Sequence, residues 1–111
     1  MRTRAMTMPG RVYVLYEVTA TPSPELRDVY ERYMRETHIR DVLATGCFTG
    51  ADFAVASSGS FRTSYIAARQ EELDRYLDQH AQRLRADFAS HFPAGITLSR
   101  EVWTVVEGWQ G

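Results

Sequence analysis

Lysine is absent from this 111-residue sequence, so all 13 of its basic residues are arginines. Without a lysine amine, the chain cannot form a Schiff base with a carbonyl substrate or use lysine as a catalytic base. The sequence has a single cysteine, Cys47, which excludes an internal disulfide and favours a reducing, cytoplasmic location. These two absences exclude lysine-dependent enzymes and small domains that depend on disulfides.

A strong net charge and long apolar runs are also absent. The formal net charge is -1 and the arginines are scattered among acids, so neither a nucleic acid nor an anionic membrane is an expected partner. No apolar run approaches the roughly 20 residues that span a bilayer. The opening "MRTRAMTMPG" lacks the apolar stretch of a secretory signal, and we expect residues 1–10 to form a loosely attached tail. The balance of apolar and charged residues predicts one soluble domain over residues 11–108.

The periodicity of apolar residues predicts an α+β fold. Alternation and β-branched or aromatic residues predict strands over 12–20, 47–56, 61–69 and 96–106. Helical spacing predicts helices over 24–37 and 71–88, the first beginning at Ser23 and Pro24. The order β-α-β-β-α-β is the ferredoxin-like pattern, in which a four-stranded antiparallel sheet has two helices on one face.

The other face of this predicted sheet requires a cover. Tyr13 and Leu15 lie on it, together with the set of either Val102 or Trp103, because the last strand could contain a bulge. Dimerisation through this open face would bury the apolar side chains. Glu17 and Arg100 could then form a buried pair that fixes the register of the dimer, or either could point into a pocket.

Two stretches are similar to a family of unknown function. "HIRDVLATGCF", which begins at His38, resembles a His-Ile-Pro-x-Val-Leu-Ala-Thr-Gly-x-Phe stretch of that family. "RYLDQHAQRLRADFASHF" resembles its Tyr-Leu-x-x-His-Ala-x-x-Leu-Arg pattern, and the similarity covers roughly residues 12 to 105. The chain departs from the family at Arg40, which replaces a proline, and at Tyr30 and Tyr33, where tryptophan is common.

This resemblance implies membership of the dimeric α+β barrel superfamily. The superfamily includes small monooxygenases, lactone isomerases and polyketide-modifying enzymes, many with a pocket between the helices and the sheet. Because the family itself has no established reaction, the resemblance implies a fold more than a function.

Histidines are the main candidates for chemistry. His38 is predicted at the last turn of the first helix, where it would act as a general base at a pocket mouth or cap the free carbonyls of the helix. His91 could close the same pocket or cap the second helix, and His80 is expected in the core. His80 and His91 are about 16 Å apart along a continuous helix and lack partners at ligand spacing, so no metal site is predicted.

Aromatic residues are the main candidates for ligand binding. We expect a flat ligand to be held by a set of mainly aromatic side chains, Tyr16, Tyr33, Tyr65, His91 and Trp103. Aromatic residues also form ordinary cores, and that alternative stays open. Cys47 is a further candidate, as a nucleophile with His38 as its base or as a small buried apolar residue.

Three functions are compatible with these residues. The first is a cofactor-free enzyme, such as a monooxygenase, isomerase or cyclase, that acts on an aromatic or polyketide-like compound with His38 moving a proton. The second is a homodimeric module that binds a small apolar or aromatic ligand without turnover. The third is a purely structural dimer.

Overall fold

The computed structural model describes residues 12–111, and the predicted tail over residues 1–10 lies outside this range. Four strands form one antiparallel sheet in the order β2-β3-β1-β4. They are β1 (Tyr13–Pro22), β2 (Gly50–Val55), β3 (Phe61–Ala67) and β4 (Ile96–Val105). Helical segments follow β1 and β3, so the predicted ferredoxin-like α+β fold is confirmed.

The first helical region is longer than predicted. It consists of a 3₁₀ turn (Pro24–Leu26), α1 (Arg27–Tyr33), a π-helical turn (Met34–His38) and α2 (Ile39–Leu43). Its predicted end near Thr37 is wrong, because packing of the buried Val42 and of Leu43 maintains the helix through the π-helical turn and into α2. The chain reverses at Gly46, which has a φ of 79° that glycine adopts without strain. The second strand therefore begins at Gly50, three residues later than expected.

The second helical region is divided at His80. The backbone there has φ −129° and ψ −32°, which separates α3 (Gln70–Gln79) from α4 (Ala81–His91). His80 lies partly exposed at this break, with its Nδ1 3.4 Å from Arg83 Nη2, so its predicted place in the core is wrong. Both helices contribute buried residues to the same core cluster, Leu73 and Tyr76 from α3 and Ala81 and Leu84 from α4.

Pairing between β1 and β4 determines which side chains face the helices. The register runs without interruption from Tyr13 opposite Val105 to Pro22 opposite Ile96, so β4 has no bulge. Leu15 is paired with Trp103 on the open face, and Val18 is paired with Arg100 on the helix-covered face. The expected pair of Glu17 with Arg100 is therefore wrong, because these side chains lie on opposite faces of the sheet.

The core consists of two clusters of buried side chains that contain many aromatic rings. The first cluster includes Tyr16, Tyr65 and Tyr76 between the sheet, α3 and α4. The second includes Tyr30 and Met34 against the other end of the sheet. Residues of both clusters line one cavity, which lies where the two clusters meet.

Candidate functional site

The cavity between the helices and the sheet has a volume of about 40 Å³. This is space for about three water molecules, since one water needs roughly 10–15 Å³ by the same measure. The walls are formed by side chains from the sheet and from the helical segments, namely Tyr16, Val18, Tyr65, Leu98, Arg100, Tyr30, Met34, His38, Tyr76, Arg85 and Phe88. It is therefore a mainly aromatic cavity with one imidazole, two guanidinium groups and four phenols.

His38 lines this cavity and has a buried ring nitrogen without a hydrogen-bond partner among the described residues. It is the last residue of the π-helical turn, and its ring packs edge-on against Phe88 with centroids 5.6 Å apart. The buried nitrogen is Nδ1. The capping alternative for His38 does not hold, because the helix continues beyond it and its buried nitrogen meets no backbone carbonyl. A buried polar atom without a partner is uncommon in folded proteins and indicates a place for a ligand or water.

Burial also determines the protonation state of His38. Desolvation lowers the pKa of its imidazole below the ordinary value, and the positive charge of Arg100 acts in the same direction. Asp41 and Asp87 oppose the change with their negative charges. The net direction is downward, so the imidazole is mostly neutral near pH 7 and is able to accept a proton.

The tyrosine hydroxyls of the cavity are positioned to donate hydrogen bonds. Tyr16 Oη accepts a 2.9 Å hydrogen bond from Arg85 Nη2. No hydrogen bond joins the hydroxyls of Tyr30, Tyr65 and Tyr76 to the part of the chain that the structure describes. Burial raises the pKa of Tyr76 to about 12 and raises the pKa of Tyr30 and Tyr65 further. These phenols therefore stay protonated and can donate to an oxygen atom of a ligand.

The structure places the predicted residues in three locations. His38, Tyr16 and Tyr65 line the cavity. Tyr33 and His91 lie beside it, with their ring centroids 4.4 Å apart and Tyr33 5.8 Å from His38. His91 Nδ1 is 2.9 Å from the carbonyl oxygen of Asp87, which is the capping contact considered for it. Trp103 does not line the cavity, because alternation along β4 places it on the open face.

Tyr76 and Arg85 also line the cavity but were not identified from the sequence as binding residues. Neither stands out in the sequence, because Tyr76 lies at helical spacing among apolar residues and Arg85 lies among other charged residues. Arg85 lies three residues before Phe88, so the helical spacing places it near the face that Phe88 occupies. Arg100 was expected either at the dimer interface or in the pocket, and it lies in the pocket.

Cys47 lies apart from this cavity. Its side chain is 2% exposed and packs in the first core cluster, and its Sγ is 4.0 Å from the carbonyl oxygen of Thr45. It is not among the cavity-lining residues that include His38. This position matches the alternative of a small buried apolar residue.

Residues 12–111 contain neither a cluster of metal ligands nor a helix that could span a membrane. No group of three histidine, cysteine or acidic side chains in this range is arranged to hold a metal ion. None of the helices in the same range has both the length and the apolar character needed to cross a lipid bilayer.

The sequence pattern of one protein family matches the region that contains this fold. The match runs over residues 13–106, and the family is described as a domain of unknown function, DUF4286. The chain belongs to DUF4286. Among curated proteins, none matches this DUF4286 chain.

Similar solved structures include proteins from three bacteria. A conserved protein of unknown function from Bacteroides thetaiotaomicron, described as a possible oxidoreductase, is 11% identical with a TM-score of 0.65, and the match covers 86% of this chain and 99% of that one. A Nitrosomonas europaea protein is 13% identical with a TM-score of 0.59 and coverages of 89% and 92%. A Deinococcus radiodurans protein is 14% identical with a TM-score of 0.58 and coverages of 87% and 94%. The last two are named for antibiotic biosynthesis monooxygenases, and at these identities the similarity is one of fold.

Proposed function

We propose that this DUF4286 protein is a homodimeric, cofactor-free enzyme that removes a proton from a small aromatic or polyketide-like compound. The observation that most supports this proposal is the buried, unpartnered Nδ1 of His38, a residue that lines a cavity together with four tyrosines. A neutral imidazole in such a place is suited to general-base catalysis. The names of the Nitrosomonas and Deinococcus structures favour the same broad class of chemistry.

In the proposed reaction, His38 accepts a proton from an acidic C–H or O–H group of the substrate. The hydroxyls of Tyr16 and Tyr65 orient the ligand, and the resulting anion is stabilised by phenol and guanidinium donors. Return of the proton from the imidazolium to a different atom of the anion gives an isomerised product and regenerates neutral His38. The ring of Tyr33 packs near both His38 and His91. Tyr33 and His91 therefore act as positioning residues for His38.

A second outcome of the same step is oxygenation by molecular oxygen. An electron-rich substrate anion reduces O₂, one oxygen atom enters the product as a carbonyl, and the other leaves as water with the two substrate hydrogens. Both outcomes require the initial proton transfer, so that transfer is the step to test. Neither outcome requires a bound cofactor.

Proton transfer can be measured with 2-tetralone, a flat ketone with acidic C–H bonds next to its carbonyl. We expect the protein to accelerate deuterium exchange at these positions in D₂O, followed by proton NMR, and His38→Gln to lower the enzymatic rate by roughly 10²–10⁴-fold. His80→Gln, which changes a partly exposed histidine at the break between α3 and α4, is the matched control. Equal exchange rates in the wild-type protein and His38→Gln would rule out His38 as the base.

The second candidate is a module that binds a ligand without turnover. The hydroxyls of Tyr30, Tyr65 and Tyr76 favour this function, because they have no partner in the described chain and can hold a ligand without a proton transfer. In either function, a ligand larger than about three waters requires the cavity of about 40 Å³ to open. A ligand that raises the melting temperature, combined with no exchange of 2-tetralone above the buffer rate, is the result that supports this candidate over an enzyme.

The proposed partner of the open sheet face is a second copy of the chain. Trp103 is 50% exposed beside Leu15 on this face, and burial of such a pair by an identical surface gives a closed two-fold dimer. The unpaired, buried thiol of Cys47 supports the further proposal of a reducing, cytoplasmic environment.

A further inference from the structure

Arg85 and Arg100 face the same cavity from two different elements. Arg85 extends from α4 and donates to Tyr16 Oη at 2.9 Å. Arg100 extends from β4 on the helix-covered face of the sheet, where it is paired with Val18. Both side chains line the cavity that contains His38, and both residues are also exposed to solvent.

Negative charge does not compensate these guanidinium groups within the described cavity wall. No aspartate or glutamate is among its lining residues. The ion pairs within residues 12–111 involve other arginines, and the hydrogen-bond partner of Arg85 is a neutral phenol. Asp41 and Asp87 lie outside the lining and act with their negative charges on His38, and Asp87 also accepts the hydroxyl of Tyr33 at 2.8 Å. Among the lining residues themselves, the two guanidinium groups are the charged donors that can attract an anion.

The rest of the wall limits the shape of that anion. Val18, Leu98 and Phe88 present apolar surface, and the rings of Tyr30 and Tyr65 add flat aromatic surface. A glycine-rich phosphate loop is not part of this wall, whereas a planar carboxylate matches the geometry of guanidinium donors. An aromatic body with one carboxylate thus matches both the apolar and the cationic parts of the wall, and the cavity of about 40 Å³ opens to admit it.

We propose that the cavity binds a small aromatic carboxylate, with its carboxylate held by Arg85 and Arg100 and its ring packed against Phe88 and Tyr65. This inference rests on the proposed function for the choice of cavity and specifies the charge class of its ligand. The phenols of Tyr30 and Tyr76 then face the aromatic body and are available to its other polar groups. The same guanidinium groups are suited to stabilising negative charge that develops when His38 removes a proton.

Benzoate and benzamide provide a test, because they share shape and differ in charge. Binding is measured on the full chain by NMR titration at constant ionic strength. We expect benzoate to bind at least tenfold more tightly than benzamide, and Arg85→Gln and Arg100→Gln each to remove about this tenfold preference. Inorganic phosphate, in a separate titration, is expected to bind more weakly than benzoate.

Two arginines outside the cavity provide matched controls. Arg83→Gln changes a residue of α4 whose guanidinium lies beside His80, and Arg62→Gln changes a residue of β3 that lies 3.9 Å from Glu17 on the open face. Both controls are expected to keep the preference of the wild-type protein. If Arg85→Gln unfolds because Tyr16 loses its partner, Arg100→Gln alone decides the test, since Arg100 has no ion pair among the described residues.

Three results would overturn the inference. They are equal affinity for benzoate and benzamide, tighter binding of phosphate, and a preference that Arg100→Gln leaves intact. Exchange of 2-tetralone without binding of benzoate would refute this ligand class while the proposed base remains supported. Binding of benzoate through the two arginines without any exchange would refute the proposed enzyme and support the anion site.

Discussion

The hydroxyl of Tyr33 donates a 2.8 Å hydrogen bond to the carboxylate of Asp87, 54 residues further along the chain. This bond joins the end of α1 to α4. The ring of Tyr33 also packs near His38 and His91, with centroid distances of 5.8 and 4.4 Å. One tyrosine therefore holds together the two helical segments that form the wall around the candidate base.

Removal of this hydroxyl is expected to weaken the fold. Tyr33→Phe keeps the ring but removes the hydroxyl that donates to the half-buried carboxylate of Asp87. Because this is a hydrogen bond to a charged group, we expect the free energy of unfolding to fall by about 1–3 kcal/mol. Urea unfolding measures the loss. Tyr13→Phe, on the open face at the start of β1, is the control and is expected to change the free energy of unfolding by less than about 0.5 kcal/mol. Equal losses in the two variants would show that the bond to Asp87 contributes nothing specific.

Stability is expected to depend on pH through His38. Burial lowers the pKa of the folded imidazole, whereas the unfolded chain takes up this proton near the ordinary value of 6.5. Arg100 reinforces the lowering, and Asp41 and Asp87 oppose it. As the pH is lowered through about 6.5, the unfolded state therefore binds more protons than the folded state. The free energy of unfolding decreases with falling pH until the pH reaches the folded pKa of His38.

Comparison of His38→Gln with the wild-type protein isolates this contribution. We expect the wild-type chain to lose more stability than His38→Gln between about pH 7.5 and pH 5.5 in urea unfolding. His80→Gln is expected to retain the wild-type dependence on pH. The same loss in the wild-type protein and His38→Gln would mean that the buried imidazole is not the group responsible, and an NMR titration of His38 gives its midpoint directly.

Dimerisation through the open face can be tested at Trp103. Trp103→Arg places a charge on this face beside Leu15, and a tryptophan that acts as a hot spot at an interface centre contributes about 2 kcal/mol or more. That corresponds to a roughly 30-fold or greater increase in the dissociation constant, measurable by sedimentation equilibrium. Trp109→Arg, at a more exposed tryptophan that follows β4, is expected to leave the dimer intact. A wild-type monomer at about 100 μM, or dissociation caused equally by both variants, would contradict the proposed interface.

The alternation of the sequence was sufficient to predict the sheet. β1, β3 and β4 follow from alternating apolar residues, and their order with the helices identifies the fold. The facing of Trp103 could not be predicted, because a single bulge would have reversed it and only the paired register excludes that bulge. For the same reason, Glu17 and Arg100 could not be assigned to one face or the other.

The helical regions were less predictable from their residues. The apolar spacing of the first helix predicted an end near Thr37, but tertiary packing of Val42 and Leu43 maintains the helix beyond it. At His80 the apolar spacing continues without proline or glycine, so the sequence gives no sign of the break.

The candidate site was only partly predictable, because it depends on contacts between segments that are distant in the sequence. His38, Tyr16 and Tyr65 were recognisable by residue type, since imidazole and phenol groups often serve in binding and catalysis. Arg85 resembles its charged neighbours on α4, and only the fold shows that it points toward Tyr16. The orphaned Nδ1 of His38 depends on burial by distant segments and leaves no local pattern in the sequence.

The π-helical turn over Met34–His38 has a consequence for evolution within the family. A π-helical turn contains one residue more than an α-helical turn, and such turns commonly arise from a single insertion. In a relative that lacks this residue, the helix before the turn would keep the phase that it has in this chain. The helical residues after the turn would be rotated by about 100° around the helix axis. In that relative a different side chain would occupy the position of the imidazole, so ancestry alone does not guarantee shared chemistry.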